Sequence, residues 1–287
     1  MKVALFQYPV VWAEVQENLR LTERRLQALV GEVGEGGKGG EPCGGEGGDE
    51  SGGVDVVVLP EMFTTGFCTH RPELAEPVDG VTVATLLRWA KRYGVAIVGS
   101  FMCKEGGKLY NRGFFAKPDG EIVFIDKRHL YRGTGGEAKF FTPGTERTVV
   151  MYKGVKFCLQ ICYDLRFPVW SRNTTGFDYD ILIYCAAWPQ VKIAAWDIML
   201  ASRGIENQCY VVGVNCVGDD GMGVHYPGHS VAYDTWLNKL VWFADDEEGV
   251  KVADFDMEGL VHFREVLPAW KDSDKFSLKK FAPNLHN

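Results

Sequence analysis

Short runs of almost unbroken apolar residues recur along this chain, and they constrain its fold more than any other feature. DVVVL, VAIVGSF, DILIYCAAW and CYVVGVNCV are short, bounded by turn residues and rich in β-branched side chains. Runs of this kind read as strands buried on both faces, which need cover on each side. Stretches with helical spacing lie between them. Val15, Leu19, Leu26, Leu29 and Val30 form one apolar stripe, and Val83, Leu86, Leu87 and Ala90 form a second, with Gly94 as its C-terminal cap. A third helix is expected from about Lys192 to Asn207. KVALFQ opens the chain as a strand, KLYNRGFFA and EIVFIDK are strands joined by the turn KPDG, GVKFCLQIC is another, and HSVAYDTW, NKLVWFA and VKVADFD close the series. Buried strands, crossover helices and hairpins together predict a mixed-sheet α/β architecture with two packed layers of strands. No internal repeat is visible.

A chain of 287 residues, 46% hydrophobic and 24% charged, suits one domain over 1–287 with a single large core. One stretch stands apart. Gly31 to Gly53 holds twelve glycines in 23 residues and cannot bury enough apolar surface to offset its chain entropy, so it is expected to be a mobile surface insertion. It lacks the GKS or GKT of a phosphate loop, and its acids would repel phosphate. Its six acids and one lysine carry five of the chain's seven net negative charges, which leaves the remainder close to neutral. With no basic cluster interleaved with aromatics, neither nucleic acid nor an anionic membrane surface is an expected partner.

The opening MKVALFQYPV has too short an apolar run for a secretory signal, and no segment approaches the roughly eighteen apolar residues of a membrane span. The expected location is the cytoplasm, where eight cysteines would remain thiols. No CxxC occurs. Cys158 and Cys162, and likewise His225 and His229, are four apart, but the first pair lies in a strand pattern and the second in a Gly/Pro-rich loop, so no metal site is expected.

The chemistry gathers at strand ends. In LQICYDLRFP, Cys162 stands where an apolar strand turns toward a helix, a position whose backbone N–H groups favour a thiolate. Taken singly, it is more readily a small core residue than a nucleophile. Glu61 follows the strand of VVVLPEMFTTGF and Lys127 follows that of EIVFIDKRHLY; either by itself suits a solvated rim. An acid, an ammonium and a thiol in equivalent places form a set of complementary groups.

PEMFTTGF, DKRHLY and ICYDLRFP resemble, in order, the three signature segments of the nitrilase superfamily of carbon-nitrogen hydrolases. The similarity runs from KVALFQ through SRGIENQCYVVGVN to HSVAYD, nearly the whole chain apart from the glycine-rich stretch and the tail. The resemblance implies a four-layer α-β-β-α sandwich with two mixed sheets, a cofactor-free site, a small amide substrate with water, and assembly as a homodimer or higher homo-oligomer. It also implies a catalytic triad of Glu61, Lys127 and Cys162. Glu61 would be the base toward the thiol and the acid toward departing ammonia, while Lys127 and the backbone N–H of Tyr163 would bind the oxyanion. Glu137, in GGEAKFFTPG, falls where the family carries a second glutamate; the other reading is a loop acid paired with Lys139 or left in solvent.

PEMFTTGF together with CYDLRFPVWSRN is most similar to the ω-amidase branch, whose substrates are amides of α-keto acids such as 2-oxoglutaramate and 2-oxosuccinamate. A substrate of that kind carries a carboxylate remote from the scissile bond. Arg166 is the candidate to hold it through two parallel hydrogen bonds, with an ion pair to Asp164 or another framework acid as the alternative. Trp188 is placed to wall the pocket, or else is a core aromatic. Three positions depart from the branch: Ala187 replaces asparagine before the Trp-Pro pair, Gly204 replaces alanine, and DTWLN replaces the common Asp-Pro-x-Gly turn. Nitrile or N-carbamoyl hydrolysis on the same triad, a non-catalytic binding protein on this scaffold, and a thiol or metal-redox protein are the competing functions.

Overall fold

The computed structural model describes residues 1–35, 53–133, 136–274 and 276–278. Two large mixed sheets pack face to face, with helices on their outer faces, as the four-layer expectation requires. The first sheet runs in spatial order Gly249–Asp254, Lys2–Gln7, Val56–Val58, Ala96–Glu105, Lys108–Ala116 and Ile122–Asp126, with Glu76–Pro77 added beside Ala96–Glu105. The second runs Lys239–Trp242, Val231–Tyr233, Tyr210–Asn215, Ile181–Ala186, Val155–Ile161 and Val150–Tyr152.

Alternation along the strands makes the layers. Side chains of a strand point to opposite faces in turn. On Lys2–Gln7, Val3 and Leu5 join the core between the sheets with Phe157, Leu159 and Ile183. Ala4 and Phe6 face the other way, onto Leu26, Leu86 and Trp89 of the helices Val15–Glu35 and Val81–Tyr93. On the far side of the molecule, Trp196 and Leu200 of the helix Ile193–Asn207 and Leu260 of Met257–Val266 cover the second sheet. Two glycines record how closely these layers approach. A Cβ at Gly113 would come within 2.9 Å of Leu159 in the opposite sheet, and one at Gly213 would lie 2.4 Å from Leu200 of the covering helix.

The parallel pairings decide where side chains converge. Lys2–Gln7, Val56–Val58 and Ala96–Glu105 are parallel in the first sheet, as are Val155–Ile161, Ile181–Ala186 and Tyr210–Asn215 in the second. Parallel strands bring their C-terminal ends to one edge, the usual place for a site in α/β sheets. Ile122–Asp126 reverses direction twice through Lys108–Ala116, so its C-terminal end points the same way as that of Ala96–Glu105.

Several sequence expectations change. The first helix continues to Glu35, through Gly31 and Gly34, so the glycine-rich stretch is entered as helix and the insertion expected from Gly31 begins too early. A helix anchored by buried Leu26 and Leu29 can carry glycines at a cost of about 1 kcal/mol each. The expected mobile character of the stretch concerns residues 36–52, which lie outside the described residues. The third helix is preceded by a 3-10 turn at Gln190–Lys192. His225 is in a short hairpin, Val217–Asp219 with His225–Pro227, rather than a loop. No helix among the described residues is long and apolar enough to cross a membrane. The seven described cysteines are buried free thiols.

Candidate active site

Each of the three strand-end residues follows directly from the topology. Glu61 lies just beyond Val56–Val58, Lys127 just beyond Ile122–Asp126, and Cys162 at the end of Val155–Ile161. The first sheet therefore supplies both charged groups and the second supplies the sulfur. Cys162 has φ 45°, a left-handed conformation that non-glycine residues adopt at a cost of about 1–3 kcal/mol. The strain belongs to a sharp turn from strand into the 3-10 segment Cys162–Arg166.

Glu61 and Lys127 are fully buried and paired, with Lys127 Nζ 2.7 Å from Glu61 Oε1. Glu137, on the short helix Glu137–Phe140, is equally buried and accepts from the same ammonium at 3.0 Å through each carboxylate oxygen. It is thus neither solvated nor paired with Lys139. The Glu137 carboxylate also accepts from the Tyr131 backbone N–H. Asn111 joins the two acids, donating through Nδ2 to Glu61 Oε1 at 2.7 Å and to Glu137 Oε1 at 2.9 Å. The second Glu61 oxygen accepts from Ala187 N–H at 2.9 Å, and Cys162 Sγ lies 3.9 Å from the Ala187 carbonyl. Ala187 contributes through its backbone, so the replacement of asparagine there leaves these contacts in place.

Burial sets the resting charge states. The Cys162 thiol is pushed well above the ordinary thiol range, first by burial and next by the Glu61 carboxylate, with Lys127 opposing. The N–H groups of the turn favour a thiolate but do not overcome these effects, and the sulfur keeps its proton, as a site with Glu61 as base toward the thiol requires. Burial also pulls on the Lys127 ammonium, but Glu137 and Glu61 more than reverse it and hold the proton on. Burial raises the Glu137 carboxyl, with Lys127 working the other way. A protonated sulfur beside a carboxylate and a fixed ammonium can pass its proton to the acid when an electrophile arrives.

Asp164 locks the nucleophile turn to the lysine loop. Its buried carboxylate accepts from Ile161 N–H at 3.2 Å, His129 N–H at 2.8 Å and Arg128 N–H at 3.4 Å, and contacts His129 Nδ1 at 2.8 Å. It does not pair with Arg166, whose guanidinium instead lies over the Trp188 ring, 4.9 Å from its centroid. Among the described residues no carboxylate forms an ion pair with Arg166. Cys162, Tyr163, Arg166 and Trp188 line one cavity with Tyr131 and Lys192. Trp188 is both buried and part of that wall, so the two readings of it coincide. Asn215, at the end of Tyr210–Asn215, holds its backbone by accepting from Trp188 N–H at 2.7 Å and donating to Trp188 O at 3.0 Å.

The other two departures meet each other. A Cβ at Gly204 would come within 3.2 Å of Leu237, the leucine of DTWLN, so the smaller residue accommodates the altered turn. His225 and His229 each lie between two carboxylates, Asp219 with Asp246 and Asp197 with Asp245. Among the described residues no group of three or more His, Cys, Asp or Glu is arranged to hold a metal.

The sequence matches the carbon-nitrogen hydrolase family over residues 2–265. The chain belongs to that family. It is 39% identical over 279 residues to the ω-amidase YafV of Yersinia enterocolitica, covering 97% of this chain and 98% of that one. It is 34% identical to the 2-oxoglutaramate amidase of Bacillus subtilis, over 79% of this chain and 87% of the relative. The fold superposes on XC1258 of Xanthomonas campestris, a CN-hydrolase superfamily protein, with a TM-score of 0.87, 34% identity, and coverage of 97% and 99%. The likeness to the nitrilase superfamily and its ω-amidase branch therefore extends over nearly the full chain. The protein is an enzyme that hydrolyses carbon-nitrogen bonds.

Sequence reasoning missed Asn111, Asp164, Tyr131 and Lys192. Asn111 gave one signal, a polar side chain in mid-strand ahead of the apolar run at residues 114–116.

Proposed function

We propose that this enzyme is an ω-amidase that cleaves the terminal carboxamide of small α-keto acid amides such as 2-oxoglutaramate and 2-oxosuccinamate to the acid and ammonia. The observation that carries the reading is the buried Glu61–Lys127 pair set beside Cys162, whose sulfur lines a cavity. The names of the two relatives above support the choice of amide.

As the substrate carbonyl meets the sulfur, Glu61 takes the thiol proton and sulfur attacks the carbonyl carbon. Negative charge grows on the carbonyl oxygen, where Lys127 and the Tyr163 N–H stabilise it. The first turn of a helical segment leaves N–H groups without intrahelical partners, which suits Tyr163 to this task. Protonated Glu61 returns its proton to the leaving nitrogen, the tetrahedral intermediate collapses, and ammonia departs from a thioester on Cys162. Water then enters, Glu61 removes its proton, and attack on the thioester releases the acid and restores the thiol. Glu137 holds Lys127 in place throughout. Arg166 receives the remote carboxylate and Trp188 walls the pocket.

The enzyme works on amide and water without a cofactor, and assembles as a homodimer or higher homo-oligomer. Ile198 and Ile205, seven residues apart on one helix and both exposed, support that assembly by offering an apolar surface. Sedimentation of the purified protein tests it.

Coupled ammonia release across 2-oxoglutaramate, glutamine, asparagine, a simple nitrile and an N-carbamoyl amino acid tests the activity. The expected result is the highest kcat/KM on 2-oxoglutaramate. Preferential turnover of the nitrile or the N-carbamoyl compound would replace the reading with one of those activities on the same residues. No turnover of any would sink the ω-amidase reading.

A further inference from the structure

We infer that Lys192 completes, with Arg166, a subsite for a 2-oxo carboxylate, and that this pair of cations sets the preference for keto acids over amino acids. The inference rests on the proposed substrate class and adds a residue and a basis for selectivity to it.

Lys192 and Arg166 line the same cavity as Cys162, and Trp188 positions both. The indole ring supports the Arg166 guanidinium at 4.9 Å, while its Nε1–H donates to the Lys192 carbonyl at 2.8 Å and so fixes the backbone that carries the ammonium. Lys192 Nζ lies 4.6 Å from the Tyr131 ring centroid and donates to Tyr131 Oη at 2.6 Å. An ammonium has three donors, so this bond leaves two. Among the described residues neither cation has a carboxylate partner. The acid in the cavity wall, Asp220, is turned to its own loop and pairs with neither cation: Met222 N–H and Val224 N–H donate to its Oδ1 at 2.8 and 2.9 Å, and Tyr226 Oη donates to Oδ2 at 3.0 Å.

Two unpaired cations of different shape suit a ligand with three oxygens at one end. A planar guanidinium takes a carboxylate through two parallel bonds, and a compact ammonium takes a single further oxygen. A 2-oxo acid presents that set, with its ketone oxygen beside the carboxylate. An amino acid presents an ammonium at the same carbon, so donor meets donor and like charges repel. The subsite therefore selects by favouring one ligand and repelling the other.

Calorimetry with the reaction's acid product and its amino counterpart, 2-oxoglutarate and L-glutamate, tests this on the intact enzyme. The wild type should bind 2-oxoglutarate at least about tenfold more tightly, and Lys192→Met should lose about 10- to 100-fold on 2-oxoglutarate and much less on glutamate, so that the preference collapses. Lys192→Arg should keep most of it. In turnover, the ratio of kcat/KM for 2-oxoglutaramate to that for glutamine should fall by the same factor in Lys192→Met. An unchanged preference overturns the inference. So does an equal loss on both ligands, which would mean that the lysine acts only by supporting Tyr131 and, through it, Glu137. A wild type that releases no ammonia from 2-oxoglutaramate yet shows the Lys192-dependent binding preference would sink the proposed activity and leave the subsite standing.

Discussion

At the reacting end of the site Glu61, Lys127 and Glu137 are fully buried, with two carboxylates sharing one ammonium, whereas at the other, on the cavity wall, Arg166 and Lys192 are half-buried, rest on aromatic faces and have no carboxylate partner among the described residues. The contrast follows from what each end has to do. Charges that drive chemistry must keep one geometry through every turnover, and burial with mutual pairing provides it. Charges that recognise an anion must be free to meet it, and aromatic support holds them in place while leaving most of their donors open.

Breaking the reacting end should have the largest effect. Cys162→Ala should reduce ammonia release by at least about 10⁴-fold with the fold intact by circular dichroism. Turnover near wild type would remove the mechanism. Lys127→Met should lower kcat by about 10²–10³ and, by leaving two buried carboxylates without their shared cation, destabilise the protein by about 3–5 kcal/mol in denaturant unfolding. A kcat loss without a stability loss would show that the pairing is weaker than its geometry. At the far end, Arg166→Ala should cost about 10- to 100-fold more in kcat/KM on 2-oxoglutaramate than on an uncharged linear amide, with stability little changed. Equal losses on both would assign Arg166 to the scaffold.

The smallest expected effect sharpens the electrostatics. Burial and Glu61 keep the proton on Cys162, so the rate of its alkylation by iodoacetamide should still be rising at pH 10. Glu61→Gln removes a group that raises the thiol, moving the rise to lower pH and increasing the rate at pH 8 by about three- to tenfold. A plateau below pH 9 in the wild type would mean a resident thiolate. Lys127 stays charged across this range because its folded pKa lies above the ordinary lysine value; its contribution to stability is fully present below about pH 10.5 and is lost only as pH rises through that higher value.

The layers were legible because burial on both faces leaves a mark in the sequence, as in VVV at Val56–Val58 and ILIYCA at Ile181–Ala186. Glu61, Lys127 and Cys162 stood out because each is a chemically capable residue where such a run stops. Glu137 became visible only through family resemblance, since nothing local to GGEAKF says that its acid turns inward. Asn111 and Asp164 were hidden for a related reason. The partners of Asn111 are 50 and 26 residues away and those that tie Asp164 to the lysine loop 35 or 36, and a polar residue in a strand or turn does not announce which distant group it will meet. The proton on the thiol was hidden in the same way, because turn geometry is local whereas desolvation depends on everything packed around the sulfur.

By itself the sequence determined the alternation of strands and helices, the places where strands end and the chemical types standing there, since each depends on side chains within one short segment. Tertiary structure decided which charges are paired, which remain open to a ligand and which protons stay on. Those depend on distances between segments far apart in the chain and on how completely water is excluded from among them.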